Sequence, residues 1–540
     1  MLISLLLAAI TYGSPVNYEI ALAGNFAEPR YNHFHGGIDV KTGGVEGKPI
    51  FSIGDGYVSC VTVGLGGYGN AIYVHHPEGY TSVYCHLKAF TPQIQAMVRK
   101  WQYAHKSYRG EMHFKPTDIP IARGQLIAIS GNSGSSQAPH LHLEIHDTRT
   151  WDMVDPLNFL GVHVSDGYAP LAHGFMAYPM KDEGSFCGGF AKQSYGFGAH
   201  NLTRKFYAWG KVGFGLWAND YMEITYNRYG VKTVQLLVDG KEVFRSVADN
   251  IPIAGNMLVN SWGDYNHFLH YGVWYMRSFV KPGNTLTVYT AVNNGVVDFN
   301  EERDYHLTYL LTDFKGNQSK YTFAVEGRRT AIPKSLAIPR GKVLRYDRMN
   351  NTQLPGMTLI TQPFSVDENQ VLQPVVKRQP QGLSDSYRLA DGSFPLLRYG
   401  KLSLRLNRQV VDSSKLYVES NWGGKRYLAG VYDNGWVTAS VRELGATYQL
   451  AYDDQPPTVN PVSLGTVLTI GMADTGSGVA GCEAYLDGRF VLFEDVPKSP
   501  WVRCNLRDTP IKPIGKSRRL VFIARDKVGN KRIYKTQIKY

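Results

Sequence analysis

The seven residues from His140 to His146, HLHLEIH, alternate polar and apolar side chains without a break. A period of two is typical of a half-buried β-strand, whereas an amphipathic helix repeats every 3.6 residues. His140, His142 and Glu144 therefore share one face of the predicted strand, and the apolar residues between them pack into the core from the other face. The pattern predicts a β-sheet that carries two imidazoles and a carboxylate on its polar surface.

Two further short motifs supply the same types of side chain earlier in the chain. The motif HGGID begins at His35 and ends at Asp39, and its two glycines indicate a bend, not a helix, in which both side chains converge. In YCHL the strand alternation predicts that Tyr84 and His86 share a face and that Cys85 points into the core. Imidazole nitrogens and carboxylate oxygens are ordinary zinc ligands, so both motifs are candidate sources of ligands.

The combination of these motifs favours a metal site over a set of unrelated structural histidines. A lone histidine on a strand is usually structural, but four histidines and an aspartate in short strand and turn motifs fit an open metal site. The sequence has no H-E-x-x-H motif, so the common helical zinc arrangement is not expected. His33 lies two residues before His35 and is a competing ligand. Five further histidines are expected to be surface or structural residues: His75, His76, His105, His113 and His146.

The order H-x-x-x-D, Y-x-H-L and H-x-H-x-E resembles the LytM/lysostaphin-type peptidoglycan endopeptidases. Further matching segments are GKPIFSIGDGYV at 47–58, GGYGNAIYVHH at 66–76 and RGQLIAISGNSGSSQAPHLHLE at 123–144. The resemblance covers nearly all of residues 24 to 160. The segment GNFAEPR at 24–30, the insertion after His86 and the β-rich tail are similar to secreted members of the Bacteroidetes type.

The resemblance assigns roles to five residues by their positions in the motifs. His35, Asp39 and His142 match the zinc ligands, and His86 and His140 match the two catalytic imidazoles. It implies a zinc-dependent endopeptidase that hydrolyses the peptide cross-links of bacterial peptidoglycan during cell-wall remodelling, in a groove on a small antiparallel β-sheet. Three protein ligands leave one zinc position open, as is usual for catalytic zinc. Which of the two imidazoles is the general base stays open.

Glu144, two residues beyond His142 on the same predicted strand face, is a candidate to orient a ligand imidazole by a hydrogen bond. The alternative for this residue is a solvent-exposed carboxylate. Two other functions also stay open: a non-catalytic cell-wall-binding or amidase-activating module on the same fold, and a metallopeptidase that acts on a protein outside the wall. The presence of every ligand position and of both catalytic histidine positions favours the enzyme.

The length of 540 residues predicts several domains, because a single hydrophobic core stops growing well below that size. With 35 Tyr, 56 Gly and 27 Pro, the composition favours a mainly β chain with many turns. A D-G turn followed later by a D-x-x-G-N turn occurs twice, at 238–317 and at 486–530, and suggests two immunoglobulin-like β-sandwiches. The expected divisions are a signal peptide at 1–13, an antiparallel metallopeptidase domain with a helical insertion at 14–162, an immunoglobulin-like domain at 163–331, a β-rich domain at 332–455 and an immunoglobulin-like domain at 456–540.

The first residues and the charge bear on location and partners. The apolar stretch at 2–10 has the length of a signal-peptide core, so export to the periplasm, the outer envelope or the medium is expected, and no later segment is long and apolar enough to span a membrane. The net charge of +12 favours anionic polymers such as the cell wall, and the lack of a nucleic-acid module argues against nucleic acid as a partner. Cys482 and Cys504 lie in one segment and form a candidate disulfide pair. The sequence does not indicate an oligomeric state.

Overall fold

The computed structural model describes residues 11–334 and 341–540. The described chain is mainly β, as the composition predicts, and its sheets pack around four large hydrophobic cores. Residues 1–10, which hold most of the expected signal peptide, lie outside the described residues. Within the described part, no helix is both long and apolar enough to cross a membrane.

The N-terminal unit, residues 11–162, consists of short strands and tight turns around one long helix. Its elements are β1 (Leu22–Gly24), β2 (Pro29–Arg30), β3 (His33–Phe34), β4 (Gly37–Lys41), β5 (Pro49–Phe51), β6 (Gly56–Val63), β7 (Ala71–His75), β8 (Tyr80–Cys85), β9 (Leu87–Phe90), α1 (Pro92–His105), β10 (Gly110–His113), β11 (Pro120–Ile121), β12 (Leu126–Ser130), β13 (His140–Asp147), β14 (Met153–Val154) and α2 (Leu157–Leu160).

The main sheet of this unit is antiparallel and has the strand order β1-β4-β13-β8-β7-β6-β10. Strand β13 lies between β4 and β8, so the predicted strand is central in the sheet. The alternation in β13 is confirmed, because Leu141, Leu143 and Ile145 are fully buried in the core. A second, three-stranded sheet has the order β5-β12-β9.

The helical insertion predicted after His86 is confirmed as α1. Thr91 is the N-cap residue, and Pro92 occupies the first turn, where its missing N–H costs nothing. The helix ends at Lys106, whose left-handed backbone directs its N–H to the carbonyl of Gln102. Val98 is among the residues that bury one face of the helix against the N-terminal core.

The second unit, residues 163–334, is built on two unusually long strands. Its elements are β15 (Leu171–Phe186), β16 (Gln193–Gly196), β17 (Asn201–Met222), β18 (Thr225–Tyr229), β19 (Thr233–Val238), β20 (Lys241–Val247), β21 (Asn250–Ile251), α3 (Val259–Trp262), α4 (Tyr265–Tyr271), β22 (Met276–Arg277), β23 (Tyr289–Ala291), β24 (Val297–Phe299), β25 (Asp304–Thr312) and β26 (Gln318–Gly327). Strand β17 pairs with β15, β18, β22, β24 and β26 along its length, and its pairing with β26 is parallel. The strands are therefore joined by hydrogen bonds into one 11-stranded sheet around a single core.

The third unit, residues 341–453, packs two five-stranded sheets and one two-stranded sheet around one core, and the C-terminal unit, residues 454–540, packs two four-stranded sheets around another. The third unit contains β27 (Lys342–Leu344), β28 (Asn350–Leu354), β29 (Met357–Thr361), β30 (Gln370–Leu372), β31 (Val375–Lys377), β32 (Ser386–Arg388), β33 (Gly400–Arg405), β34 (Leu416–Asn421), β35 (Lys425–Leu428), β36 (Val431–Asp433), β37 (Trp436–Val441) and β38 (Thr447–Tyr452). The C-terminal unit contains β39 (Thr458–Leu464), β40 (Val467–Ala473), β41 (Val479–Leu486), β42 (Arg489–Val491), β43 (Glu494–Asp495), β44 (Trp501–Asn505), β45 (Ser517–Asp526) and β46 (Lys531–Lys539).

The candidate disulfide of the C-terminal unit is not formed. Cys482 lies in β41 and Cys504 in β44, and these strands belong to different sheets of the unit. Both residues are free thiols in the structure.

Candidate metal centre and groove

The candidate ligands lie on the neighbouring strands β4 and β13 and on the turn that leads into β4. Asp39 is directly opposite His142 in the antiparallel register. The motif HGGID is therefore not the bend that its glycines suggested, because Gly37 to Asp39 already form part of β4. The glycines serve close packing instead: a Cβ on Gly36 would lie 2.6 Å from Glu144 Oε1, and one on Gly37 would overlap the Leu143 carbonyl oxygen.

Three donor atoms converge in a buried position between these elements. His35 Nε2 lies 3.1 Å from Asp39 Oδ1 and 2.9 Å from His142 Nδ1. His142 Nδ1 lies 2.9 Å from the same Asp39 oxygen. Two ligands bound at about 2.0–2.1 Å to a tetrahedral zinc stand roughly 3.3 Å apart, so the spacing of the three donors is close to that of a zinc site.

The hydrogen bonds of the two rings show which nitrogens are available to a metal. His35 Nδ1 donates to the Asn25 carbonyl oxygen at 2.6 Å, and His142 Nε2 donates to Glu144 Oε1 at 2.8 Å. In the neutral rings the two facing nitrogens therefore both carry lone pairs, which repel each other at 2.9 Å unless a cation or a proton lies between them. This donor set, two imidazoles and one carboxylate, fits zinc.

The titration properties of the cluster follow from the same contacts. Burial raises the pKa of Asp39, but the imidazoles of His35, His140 and His142 outweigh it and hold that pKa far below its usual range. Burial lowers the pKa of His142, yet its hydrogen bonds to Asp39 and Glu144 dominate and raise that pKa to about 9. In the metal-free chain, His142 therefore carries a proton at neutral pH. This proton lies at the place where His35, Asp39 and His142 could hold a cation.

Glu144 is a buried carboxylate at the centre of a hydrogen-bond network, not an exposed residue. Besides His142, it accepts hydrogen bonds at Oε2 from Tyr68 Oη at 2.7 Å and from His146 Nε2 at 2.6 Å. His146 is buried and structural, which is one of the two alternatives expected for it. Its role could have been found in the sequence, because it continues the alternation of Glu144. Tyr68 comes from the loop before β7, and no local pattern indicates it.

His86 reaches the groove by a route that differs from the predicted alternation. The prediction that Tyr84 and His86 share a face is wrong, because β8 ends at Cys85 and His86 has a left-handed backbone with φ of 61°. Tyr84 is fully buried in the main core, opposite Leu143. Cys85 is fully buried and lies outside the cluster of possible metal ligands, as expected.

The two imidazoles expected to be catalytic stand together beside the metal centre. The ring centres of His86 and His140 are 4.9 Å apart, and the His86 ring lies 5.8 Å from that of His142. His86 Nδ1 donates to the Ser133 carbonyl oxygen at 2.9 Å, and His140 Nδ1 donates to the Ala138 carbonyl oxygen at 2.8 Å. In the neutral His86 ring, Nε2 therefore carries the lone pair. His140 Nε2 instead lies 3.3 Å from Asp39 Oδ1 and faces that carboxylate.

The segment before HGGID contributes two charged residues that were not predicted as part of the site. Arg30 Nη2 lies 2.5 Å from Asp39 Oδ2, the oxygen that the histidines leave free. Glu28 is close to this pair, and burial, followed by the charge of Asp39, raises its pKa to about 7 against the opposing effect of Arg30. His33, the competing ligand, is exposed and bonds the Tyr31 carbonyl instead.

A groove of about 1010 Å³ opens over the metal centre. Its walls are the segments 28–36, 41–44, 67–68 and 135–140, and the five predicted metal and catalytic residues line it. The structure therefore brings together all the residues that the sequence predicted for the site, with Glu144 directly beneath them.

Comparisons with known proteins agree with this geometry. The model of peptidase family M23 matches residues 33–107, and the model of the Zu5-like domain matches residues 341–453. A Haemophilus influenzae protein named uncharacterized metalloprotease is 30% identical over 112 residues, which cover 21% of this chain and 18% of that protein. The DD-carboxypeptidase/endopeptidase Mpg of Neisseria meningitidis (strain ATCC 13091 / M2091) is 32% identical over 110 residues, or 20% of this chain and 19% of Mpg. The match thus spans about a fifth of the length of these relatives.

A shorter relative is matched over nearly its whole length. Lipoprotein NlpD of Yersinia enterocolitica is 31% identical over 117 residues, which cover 22% of this chain and 94% of NlpD. Among solved structures, the catalytic domain of lysostaphin from Staphylococcus simulans is 22% identical and aligns over 26% of this chain and 92% of that domain, with a TM-score of 0.19. On the sequence matches, the chain belongs to peptidase family M23.

Proposed function

We propose that the chain is a zinc-dependent endopeptidase that hydrolyses peptide cross-links of bacterial peptidoglycan. The observation that carries the proposal is the groove in which His35, Asp39 and His142 converge beside His86 and His140. A bound zinc ion would act there as a Lewis acid that activates water and polarises the scissile carbonyl. The three donors would hold the ion, and its remaining coordination position would face the groove.

The two remaining imidazoles supply proton transfer. Burial, followed by the neighbouring His142 and His140, lowers the pKa of His86 to about 4, so His86 is neutral at physiological pH. Its Nδ1–H is held by the Ser133 carbonyl, which leaves Nε2 free to accept a proton. A proton accepted there can pass to the leaving amine when the peptide bond breaks. His140, whose Nδ1–H is held by the Ala138 carbonyl, would in its protonated form donate from Nε2 and stabilise the developing oxyanion.

Peptidoglycan is the proposed substrate because two independent observations favour it. The Neisseria relative carries the name DD-carboxypeptidase/endopeptidase, and the net charge of +12 suits an anionic wall. A cross-link between D-alanine and diaminopimelate is the bond expected for a Gram-negative wall, and a Gly-Gly cross-link is the alternative. The proposed location, outside the cytoplasm, follows from the substrate.

The proposal is tested by incubating the full chain with purified sacculi and identifying the released muropeptides by mass. We expect cross-linked dimers to be converted into monomers, and we expect a chelator to stop the reaction until zinc is restored. Loss of a terminal D-alanine alone would identify a carboxypeptidase. Binding to sacculi without any product would identify the non-catalytic wall-binding module, and cleavage of a non-wall protein only would identify the other alternative.

A further inference from the structure

Three aspartates cluster in the second unit, away from the metal centre. Asp166 lies in the connection from the N-terminal unit, Asp220 lies near the end of β17, and Asp313 directly follows β25. Each offers a carboxylate oxygen, and these oxygens lie within 4.8 Å of one another. Asp220 is 1% exposed and Asp313 4% exposed. Two buried carboxylates and the half-buried Asp166 at this spacing repel each other unless a positive charge lies among them.

Hydrogen bonds satisfy both oxygens of Asp313 but leave one oxygen of each of the other two aspartates without a partner. Asp166 Oδ1 accepts the Tyr168 N–H at 3.1 Å. Asp313 Oδ1 accepts from the backbone N–H groups of Lys315 at 2.7 Å and Asn317 at 2.9 Å, and its Oδ2 accepts from Asn317 Nδ2 at 2.7 Å. By contrast, Asp220 Oδ1 and Asp166 Oδ2 are buried without a hydrogen-bond partner. A buried carboxylate oxygen without a partner is costly, so these two atoms indicate that a proton or a cation belongs here.

The titration of the cluster agrees with this picture. Burial, followed by the charges of Asp166 and Asp313, raises the pKa of Asp220 to about 8. Burial, followed by Asp313 and Glu223, raises the pKa of Asp166 to about 7, and Lys315 opposes the rise. Near neutral pH the cation-free cluster therefore retains protons, which a divalent ion would displace.

We propose that Asp166, Asp220 and Asp313 form a calcium site at the junction between the peptidase domain and the second unit. The donors are carboxylate oxygens, which favour a hard cation such as calcium over zinc. Calcium binds oxygens at about 2.3–2.6 Å, so oxygens on opposite sides of the ion are roughly 4.6–5.2 Å apart. Magnesium requires near-octahedral geometry at about 2.0–2.1 Å and usually keeps several waters, so calcium is the better fit to a site built from several protein carboxylates.

The position of the site gives the ion a mechanical role. Asn317 Nδ2 bonds the Asp166 carbonyl oxygen at 3.3 Å, and Lys315 Nζ bonds the Gly161 carbonyl oxygen at 2.7 Å. Phe314, in the same turn, packs against the core of the N-terminal unit. Calcium would connect this turn, the strand β17 and the connecting segment, and would thereby fix the second unit on the peptidase domain.

The same arrangement recurs where the C-terminal unit follows the third unit. Asp453, Asp474 and Asp526 also offer oxygens within 4.8 Å of one another. Asn530 Nδ2 bonds Asp526 Oδ2 at 2.7 Å and the Asp453 carbonyl oxygen at 2.7 Å, as Asn317 does at the first junction. The D-x-x-G-N motif of the sequence therefore occurs at two junctions between units, and each junction has the same arrangement of aspartates and asparagine.

The proposal is tested by measuring calcium bound per full-length chain at pH 8 in equilibrium dialysis. We expect Asp220→Asn and Asp166→Asn each to bind one calcium ion fewer than the wild type. Asp298→Asn, which changes an exposed carboxylate of β24 in the same unit, should bind as many as the wild type. In calcium-free buffer above pH 8, where Asp220 is ionised, Asp220→Asn should unfold at a higher temperature than the wild type, because the substitution removes one of the repelling charges.

Two results would overturn the proposal. One is equal calcium binding by the wild type and by both cluster variants at about 1 mM calcium, near the weak end of known extracellular sites. The other is magnesium binding with the affinity of calcium, which would mean that the cage does not select calcium. The variant folds are checked by the unfolding midpoint itself, since a misfolded Asp220→Asn chain would lack the expected upward shift in calcium-free buffer.

Discussion

At the scale of single residues, Glu144 links a metal ligand to the interior of the sheet. Its Oε1 fixes the ring of His142, while Tyr68 and His146 hold Oε2. Partners of this kind keep a ligand imidazole in the tautomer and orientation that the metal needs. If the proposed centre holds zinc, its affinity would depend on residues that do not touch the ion.

We expect Glu144→Gln to lower the affinity for zinc by about 10- to 100-fold, because the neutral amide is a weaker partner for the His142 N–H than a carboxylate. Competition with a chromophoric chelator measures the affinity. Glu46→Gln is the control, since Glu46 is exposed and pairs only with the exposed Lys88. Equal zinc affinity in the two variants would show that Glu144 does not support the ligand.

The residues of the site differ in how far the sequence reveals them. His140, His142 and Glu144 follow from the alternation of one strand, because every second side chain reaches the same face. Tyr68 and Arg30 lie in separate segments and reach the site only through the tertiary fold. No local pattern records such contacts, so they could not be predicted.

At the scale of secondary structure, the pairing of β4 with β13 sets the geometry of the metal centre. Gly37 pairs with Glu144 in this register, and Asp39 pairs with His142. The absence of a side chain at Gly37 lets the two strands approach, since a Cβ there would overlap the Leu143 carbonyl oxygen. The motif HGGID therefore combines two proposed ligands with two packing positions between them.

We expect Gly37→Ala to lower the unfolding midpoint of the chain, with a cost of about 1–3 kcal/mol, because the strands must separate to accept the methyl group. Gly64→Ala is the control: a Cβ at Gly64 meets no atom within 4 Å. Thermal unfolding of both variants with zinc present measures the difference. The packing explanation fails if the two variants unfold at the same temperature.

Secondary-structure elements that depend on local sequence signals were predicted, and those that depend on tertiary contacts were not. The helix α1 and the strand β13 were predictable, because a Thr-Pro start and a period of two are local signals. The strand β4 was read as a bend because its glycines serve a contact with β13 that the sequence does not reveal. The position of His86 was missed because a single left-handed residue ends the alternation.

At the scale of the whole molecule, the second unit supports the metal centre through Asn25. The Asn25 side chain exchanges two hydrogen bonds with the backbone of Gly230, at 2.7 and 2.8 Å. Its own carbonyl oxygen accepts the hydrogen bond from His35 Nδ1. A contact between units therefore helps to position His35, a proposed metal ligand.

We expect Asn25→Ala to weaken zinc binding, because the carbonyl that orients His35 loses its anchor on the second unit. Asn227→Ala is the matched control, since Asn227 also bonds across this junction, to the Ala23 carbonyl, without a link to His35. Competition with a chromophoric chelator measures the zinc affinity of both variants. Equal affinities would mean that the second unit does not act on the centre.

The C-terminal unit also contacts the peptidase domain, although the two are far apart in the sequence. Arg109 makes two hydrogen bonds to the Asp495 carboxylate, at 2.6 and 2.7 Å, next to the helical insertion. Lys498 Nζ donates to the carbonyl oxygen of Ser136, a residue of the groove wall. The sequence indicates the β-rich tail but not its return to the groove, because contacts across more than 360 residues leave no local pattern.

The most direct test of the proposed enzyme measures zinc content and muropeptide cleavage together in three variants. We predict that His142→Ala loses the zinc, because only two of three ligands remain. We predict that His86→Ala and His140→Ala keep the zinc and lose about 10²- to 10⁴-fold in cleavage, the usual cost of removing a proton-transfer group. A His142→Ala chain that retains zinc, or a His140→Ala chain with full cleavage, would contradict the assignment of the ligands and of the catalytic imidazoles.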